Sequence, residues 1–212
     1  AETLNRVILQ AKRASAPAQI NVPRDFWTQV IDIELPAIVE FERPSGGDDA
    51  LNAAAKMLSE AAFPVILNGA GVVIGGAIGS SMALAERLDA PVCCGYQHND
   101  AFPGSHPLFA GPLGYNGSKA GMELIAKADV VLALGTRLNP FSTLPGYGMD
   151  YWPKDAKIIQ VDINPDRIGL TKPVTVGIIG DANKVATGIL DRLAPSAGDT
   201  GRDARKETIA TT

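Results

Sequence analysis

Three short stretches of the 212-residue chain carry residue types suited to holding a charged ligand. The first is Gly69-Ala70-Gly71, with Gly75 four residues on, after the aliphatic run Val65-Ile66-Leu67. Two glycines behind a strand let the backbone approach a phosphate closely, and a following helix presents free N–H groups and a positive dipole end. The spacing is one residue longer than the dinucleotide fingerprint, and the same glycines also suit a plain strand-to-helix turn. The second stretch is Gly135-Thr136-Arg137, behind Val130-Val131-Leu132-Ala133-Leu134. It sets a hydroxyl and a permanent cation beyond a buried strand, and guanidinium suits a bidentate grip on phosphate. A surface or interdomain ion pair is the alternative use of Arg137. The third is Asp162, which closes Ile158-Ile159-Gln160-Val161 and offers an acceptor to a ribose hydroxyl or a cap to its own loop. An acid normally meets the ribose about 20 residues after the glycine loop. Here the second strand ends Cys94-Gly95-Tyr96-Gln97, so an ordinary NAD site is weakly supported.

Other candidates carry less. Both histidines, His98 and His106, share one polar loop with Asp100, a pairing suited to acid–base work. No Ser or Cys nucleophile arrangement accompanies them, and a structural role suits them as well. The only cysteines, Cys93 and Cys94, are adjacent, so on a strand they face opposite ways and are unsuited to bridging each other. Two cysteines and two histidines make a thiolate-rich metal site improbable and favour a reducing, cytoplasmic setting. Residues 143–153, with Tyr147, Tyr151 and Trp152, have the composition of a protein or domain contact.

The elements that must position these residues form a regular pattern. A helix is expected over 50–62, capped by Asp48 or Asp49, then the strand at 65–67 and a helix reaching Leu88. The next strand is Val92-Cys93-Cys94, and a long loop covers 95–117. Ser118 caps a helix to about Ala128, which leads into the strand at 130–134. A second long loop precedes the strand at 158–161. A last strand over 174–179 meets Asp181 as the cap of a helix ending near Leu193. Continuously aliphatic strands alternating with helices indicate an α/β fold, a doubly wound, Rossmann-like parallel sheet. Ligands on such sheets sit at the carboxyl ends of the strands, where the three stretches fall. Upstream, residues 4–11 have helical spacing and Gln19-Ile20-Asn21-Val22 reads as a strand, but one helix and one strand make no sheet. Residues 29–49 read as a linker, and 195–212 as a polar linker or disordered tail.

Charge and composition exclude whole classes. The chain has 19 Lys and Arg against 23 Asp and Glu, a net charge of −4, and no basic cluster, so nucleic acid is not an expected partner. Residues 64–79 are the most apolar stretch, yet Asn68 and five glycines break them, so no membrane span is expected. No signal peptide is visible, and a start at Ala1 in place of Met reads as a piece of something longer.

Ile20-Asn21-Val22-Pro23-Arg24-Asp25, followed by the doubly wound pattern, resembles the junction and central domain of thiamine-diphosphate-dependent enzymes of the acetolactate synthase and pyruvate oxidase type. Ala16 before Pro17 departs from the glycine many relatives have. The stretches His98-Asn99-Asp100, Phe102-Pro103, Ser105-His106-Pro107-Leu108, Gly111-Pro112-Leu113-Gly114-Tyr115, Gly117-Ser118-Lys119, Ala133-Leu134-Gly135-Thr136-Arg137-Leu138 and Met149-Asp150-Tyr151-Trp152-Pro153-Lys154 are similar to those of an acetyl-transferring branch of that family. The resemblance implies a parent enzyme, a homo-oligomer, that cleaves a small sulfonated aldehyde and passes acetyl to phosphate, using thiamine diphosphate and magnesium.

The resemblance also implies an organisation. Residues 1–28 would be the tail of an N-terminal pyrimidine-binding domain, 29–49 a linker, 50–194 the central domain and 195–212 a linker toward a diphosphate-binding domain. The family's activating Glu would lie upstream of Ala1 and its metal motif beyond Thr212. This stretch would then hold no catalytic residue and no metal ligand, and Gly180-Asp181-Ala182 lacks the later Asn of that motif because no Asn follows Asn183. In flavin-containing relatives the central sheet binds FAD or ADP through loops matching Gly69, Gly71, Gly135, Thr136, Arg137 and Asp162. Two alternatives follow: an FAD- or ADP-binding central domain of an acetolactate-synthase-like carboligase, and an NAD-dependent enzyme of related fold.

Overall fold

The computed structural model describes residues 1–14, 16–34, 36–37, 39–194 and 200–212. They divide into two units, Ala1–Glu42 and Arg43–Thr212. The first holds helix α1 (Glu2–Ala14) and a short 3-10 turn, Arg24–Thr28. None of its described residues is buried. The expected strand at 19–22 joins no ladder; a strand needs a hydrogen-bonded neighbour, and none is present among the described residues of this unit.

The second unit is built on one six-stranded sheet, in the order β3-β2-β1-β4-β5-β6 and parallel throughout. Its strands are β1 (Pro64–Asn68), β2 (Val92–Gly95), β3 (Phe109–Leu113), β4 (Val130–Leu134), β5 (Lys157–Asp162) and β6 (Val176–Ile179). The helices are α2 (Asp48–Ser59), α3 (Ala70–Ile74), α4 (Ile78–Leu88), α5 (Lys119–Ile125), α6 (Ala182–Leu190) and α7 (Thr200–Thr211). Every residue of β1 and β4 is buried, as the aliphatic runs demand.

Alternation along the strands sorts the core into two layers. Ile66, Cys94, Leu132, Leu134, Ile159 and Val161 face one layer, packed with α2, α4 and α6. Val65, Leu67, Cys93, Val131, Ala133 and Ile158 face the other, with α5. The two cysteines therefore point into opposite layers and are free thiols. Helix α2 buries Leu51, Ala54, Ala55 and Leu58, an i, i+3, i+4, i+7 stripe. Ser118 and Asp181 cap α5 and α6 as expected, each accepting from first-turn amides. Helix α2 differs: its cap is Gly47, while Asp48 and Asp49 lie in the first turn, where their charge favours the dipole.

Three further elements differ from expectation. The helix after the glycine loop is broken into α3 and α4 at Gly75-Gly76, where Gly76 has φ +64°. The loop 95–117 contains β3. And 200–211 is helical instead of a disordered tail; the remainder of that tail, 195–199, lies outside the described residues.

Candidate functional site

In this strand order the topological switch point lies between β1 and β4, where an open α/β sheet has its ligand crevice. The loops that follow these strands are Gly69–Gly71 and Gly135–Arg137, so the fold brings the first two predicted stretches together. Their backbones are in direct contact. The Gly69 amide donates to the Leu134 carbonyl at 3.0 Å, and the Gly71 amide to the Gly135 carbonyl at 2.8 Å. A Cβ on Gly71 would lie 2.7 Å from the Gly135 Cα, and Gly135 itself has φ +60°. The Val72 amide donates to the Gly69 carbonyl at 3.0 Å, so three of the amides expected to cradle a phosphate serve the protein's own backbone. Helix α3 has only five residues, a weak source of dipole.

Thr136 is buried, and its hydroxyl accepts from the Leu138 amide at 3.2 Å. Leu138, buried at φ 53°, turns the chain sharply beyond Arg137. Arg137 is exposed, and among the described residues no ion pair engages its guanidinium. The Thr171 hydroxyl holds the carbonyls of Arg137 and Leu138, at 3.2 and 2.8 Å. Asp162 is buried at the end of β5, where Oδ1 accepts from the Asn164 amide at 2.9 Å. That is the loop-capping role, at the strand end next to Arg137's.

The residue that ties these loops together escaped the sequence reading. Gln160, buried in β5, donates from Nε2 to the carbonyls of Thr136 (3.1 Å) and Arg167 (3.0 Å), and its Oε1 accepts from the Gly169 amide at 2.8 Å. One amide side chain thereby fixes the loops after β4 and β5. The signal was a lone amide among aliphatics at 158–161. Asn68, at the end of β1, works in the same way. Its Nδ2 donates to the Ala101 carbonyl at 3.0 Å, and it pairs with Ser81, fixing the turn that follows His98.

The histidines are held separately. His98 Nδ1 lies 3.9 Å from an Asp100 carboxylate oxygen. His106 packs edge-on to Phe102, accepts from the Leu108 amide at Nδ1 (3.2 Å), and meets Glu86 through Nε2 at 3.3 Å. With Nδ1 accepting, Nε2 carries the proton, which describes a structural imidazole.

All four tyrosines converge on the loops beyond β2 and β3. Tyr96 and Tyr115 rings meet edge to face at 6.2 Å. The Gly114 amide donates to the Tyr151 oxygen at 3.1 Å, and the Tyr147 hydroxyl donates to the Gly117 carbonyl at 3.1 Å. Burial pushes the Tyr151 phenol up to about 12. Tyr115, Phe141 and Tyr147 remain more than half exposed.

The implied cofactors fit unequally. Asp181 accepts from the Asn183 and Lys184 amides at the start of α6, and Arg43 binds its Oδ2 at 2.9 Å. A carboxylate so engaged is not arranged for a metal, and no group of three or more His, Cys, Asp or Glu among the described residues is placed to bind one. These residues do not fit a magnesium–diphosphate centre. A nucleotide-like ligand would find Arg137 and Asp162 at adjacent strand ends, but not open glycine amides. No helix among the described residues is long and apolar enough to cross a membrane.

Comparison with known proteins agrees with this architecture. The chain is 80% identical, over all 212 residues, to a sulfoacetaldehyde acetyltransferase from Roseovarius nubinhibens, of which it covers 35%. It is 36% identical to a probable acetolactate synthase large subunit from Methanocaldococcus jannaschii, with 84% of this chain and 31% of that one aligned. The chain thus spans about a third of the length of the curated relatives it matches. A crystal structure of benzoylformate decarboxylase from Polynucleobacter necessarius superposes with a TM-score of 0.69 over 84% of this chain and 33% of that one; at 22% identity the likeness speaks to fold. Residues 51–189, which hold the whole sheet, the helices α3 to α5 and all but the last residue of α6, match the family model described as thiamine pyrophosphate enzyme, central domain, and the chain belongs to that family.

Proposed function

We propose that this chain is the central domain of a sulfoacetaldehyde acetyltransferase, which converts sulfoacetaldehyde and phosphate to acetyl phosphate and sulfite with thiamine diphosphate and magnesium. The carrying observation is the contrast in identity, 80% over the whole chain against 36% to an acetolactate synthase relative. The proposed organisation is 1–28 as the tail of a pyrimidine-binding domain, 29–49 as linker, 50–194 as the central domain and 195–212 as the connection to a diphosphate-binding domain. The absence of any buried residue among those described in 1–28 supports the first assignment, because the exposed Phe26 and Trp27 need apolar cover. The domain contributes position and assembly and no catalytic group; the commitment of Asp181 to its helix and to Arg43 supports that. The enzyme is cytoplasmic and homo-oligomeric, with no nucleic-acid partner. The test is to supply the intact protein with thiamine diphosphate, magnesium, phosphate and sulfoacetaldehyde. Sulfite and acetyl phosphate are expected in equal amounts, and none from this chain alone. Acetolactate from pyruvate without sulfite would overturn the reading.

A second reading, an ADP- or FAD-binding central domain, is favoured by one observation: the exposed Arg137, which has no ion pair among the described residues, at the strand end next to that of Asp162. ADP would then raise the melting temperature of this chain, and Arg137→Ala would abolish the rise. No shift with ADP or FAD counts against it.

A further inference from the structure

Helix α7 poses a question of its own. Its sequence, TGRDARKETIAT, contains one large apolar residue, Ile209, and an isolated 12-residue helix is marginal in water even with better helix formers. It also lies beyond the residues that match the family model. Yet α7 is formed, and Arg205 within it is 94% buried, among the least exposed charged side chains of the described residues. The guanidinium reaches three main-chain carbonyls. Nε donates to Asp89 at 3.2 Å, Nη1 to Ala62 at 2.7 Å and Nη2 to Leu88 at 3.0 Å. Two of these carbonyls belong to the C-terminal end of α4, where Asp89 has turned left-handed at φ 46°. The last carbonyls of a helix have no intrahelical donor, so they are natural partners for a cation. Lys206 Nζ, 3.5 Å from the Asp89 carboxylate, reinforces the charge match, and Ile209, one turn on from Arg205, packs against the α5-side core.

We infer that the carbonyls of Ala62, Leu88 and Asp89 form a guanidinium-binding site at the amino edge of the sheet, and that Arg205 occupies it as the latch that folds and docks α7. Three donors spread over one rigid plane match three converging carbonyls, whereas an ammonium offers a single point. The site recognises a chemical class, the guanidinium, and in this chain the occupant is tethered. Its consequence is positional: α7 docks on the side of the sheet away from the carboxyl ends of the strands, at a place set chiefly by Arg205. The inference does not depend on the activity of any larger enzyme.

Hydrogen exchange on the whole chain tests it. In Arg205→Ala and in Arg205→Lys the amides of 203–211 are expected to exchange about ten- to a hundredfold faster than in the native protein, while β1 and β4 keep their protection as the control for folding. Methylguanidinium, titrated well below denaturing concentration into Arg205→Ala, is expected to shift the NMR signals of residues 62–63 and 88–90 saturably, and to leave them unmoved in the native protein. Retained protection of α7 in Arg205→Ala would overturn the latch. Shifts absent from Arg205→Ala, or equal in both proteins, would overturn the site.

Discussion

Gly135→Ala should be among the most damaging single-methyl additions in the protein. The left-handed backbone at Gly135 costs a residue with a Cβ about 1–2 kcal/mol. The methyl would also lie 2.7 Å from the Gly71 Cα, 2.8 Å from its carbonyl carbon and 2.8 Å from the Val72 nitrogen. All three are backbone atoms, so no rotamer change relieves the contact. The loops must part, and the hydrogen bond from the Gly71 amide to the Gly135 carbonyl, 2.8 Å in the native state, is lost. Losing it and leaving its groups unpaired costs about 1–3 kcal/mol, for a total of roughly 2–5 kcal/mol. In a domain of this size each kcal/mol moves the melting temperature by about 2–4 °C, so a fall of roughly 10 °C is expected. Gly76→Ala is the internal control. It has φ +64° and open space around the added methyl, so it pays the backbone term alone. Urea titration of both variants isolates the contact between loops. Equal destabilisation would refute the argument that the switch point is stitched shut by backbone contact.

Three other perturbations test separate parts of the structure. Gln160→Leu removes both donors and the acceptor that join the loops after β4 and β5; a loss of about 2 kcal/mol is expected, with faster hydrogen exchange at 165–171. Burial raises the Cys94 thiol from 9.0 to about 12 and the Tyr151 phenol from 10.0 to about 12, and raises Cys93 as well. The unfolded chain therefore releases these protons first: stability is full below about pH 9 and declines toward pH 12. Denaturant midpoints from pH 8 to 11 should show that decline, made shallower by Cys94→Ala, while iodoacetamide leaves the native thiols unmodified near neutral pH. Asp181→Asn keeps a good cap and loses only the ion pair to a half-exposed Arg43, so it should cost under about 1 kcal/mol. Asp181→Ala loses the cap as well and should cost about 1–2 kcal/mol, measured by the same titration.

What could be read from the residues alone was governed by where each element's stabilisation comes from. Strands β1, β4 and β5 are held by burial, and their aliphatic runs announce it. Strand β3, Phe-Ala-Gly-Pro-Leu, carries a proline that reads as a breaker, but it is the outermost strand, where a missing N–H is tolerated. Helix α7 is held by carbonyls of other segments, which no local pattern reveals. The break at Gly75-Gly76 was written in the sequence and passed over in favour of one long helix. At the carboxyl ends of the strands, residue types singled out Gly69, Gly71, Gly135, Thr136, Arg137 and Asp162 as candidates. They did not reveal that the Gly69 and Gly71 amides donate to the carbonyls of Leu134 and Gly135, since that depends on the register between β1 and β4. Gln160 and Asn68 were visible as polar residues in aliphatic strands, and their meaning required knowing which loops lie beside them.

The outer strands of the sheet also bear on solubility. An uncovered strand edge is a template on which another chain can add, and extended parallel sheets are exposed to that hazard. Here β3 presents Pro112, which has no N–H to offer, and Ser118 takes the carbonyls of Ala110 (through its hydroxyl, 2.9 Å) and Pro112 (through its amide, 2.7 Å). At the opposite side the chain around Ser45 lies antiparallel to Gly180, just past β6, and the Pro44 carbonyl accepts from the Asp181 amide at 2.8 Å. Residues 44 and 45, a few positions ahead of the first helix of the sheet unit, thus cover the backbone just past its last strand, so shortening this unit from its amino end past Ser45 would bare the Gly180 and Asp181 main chain at that border.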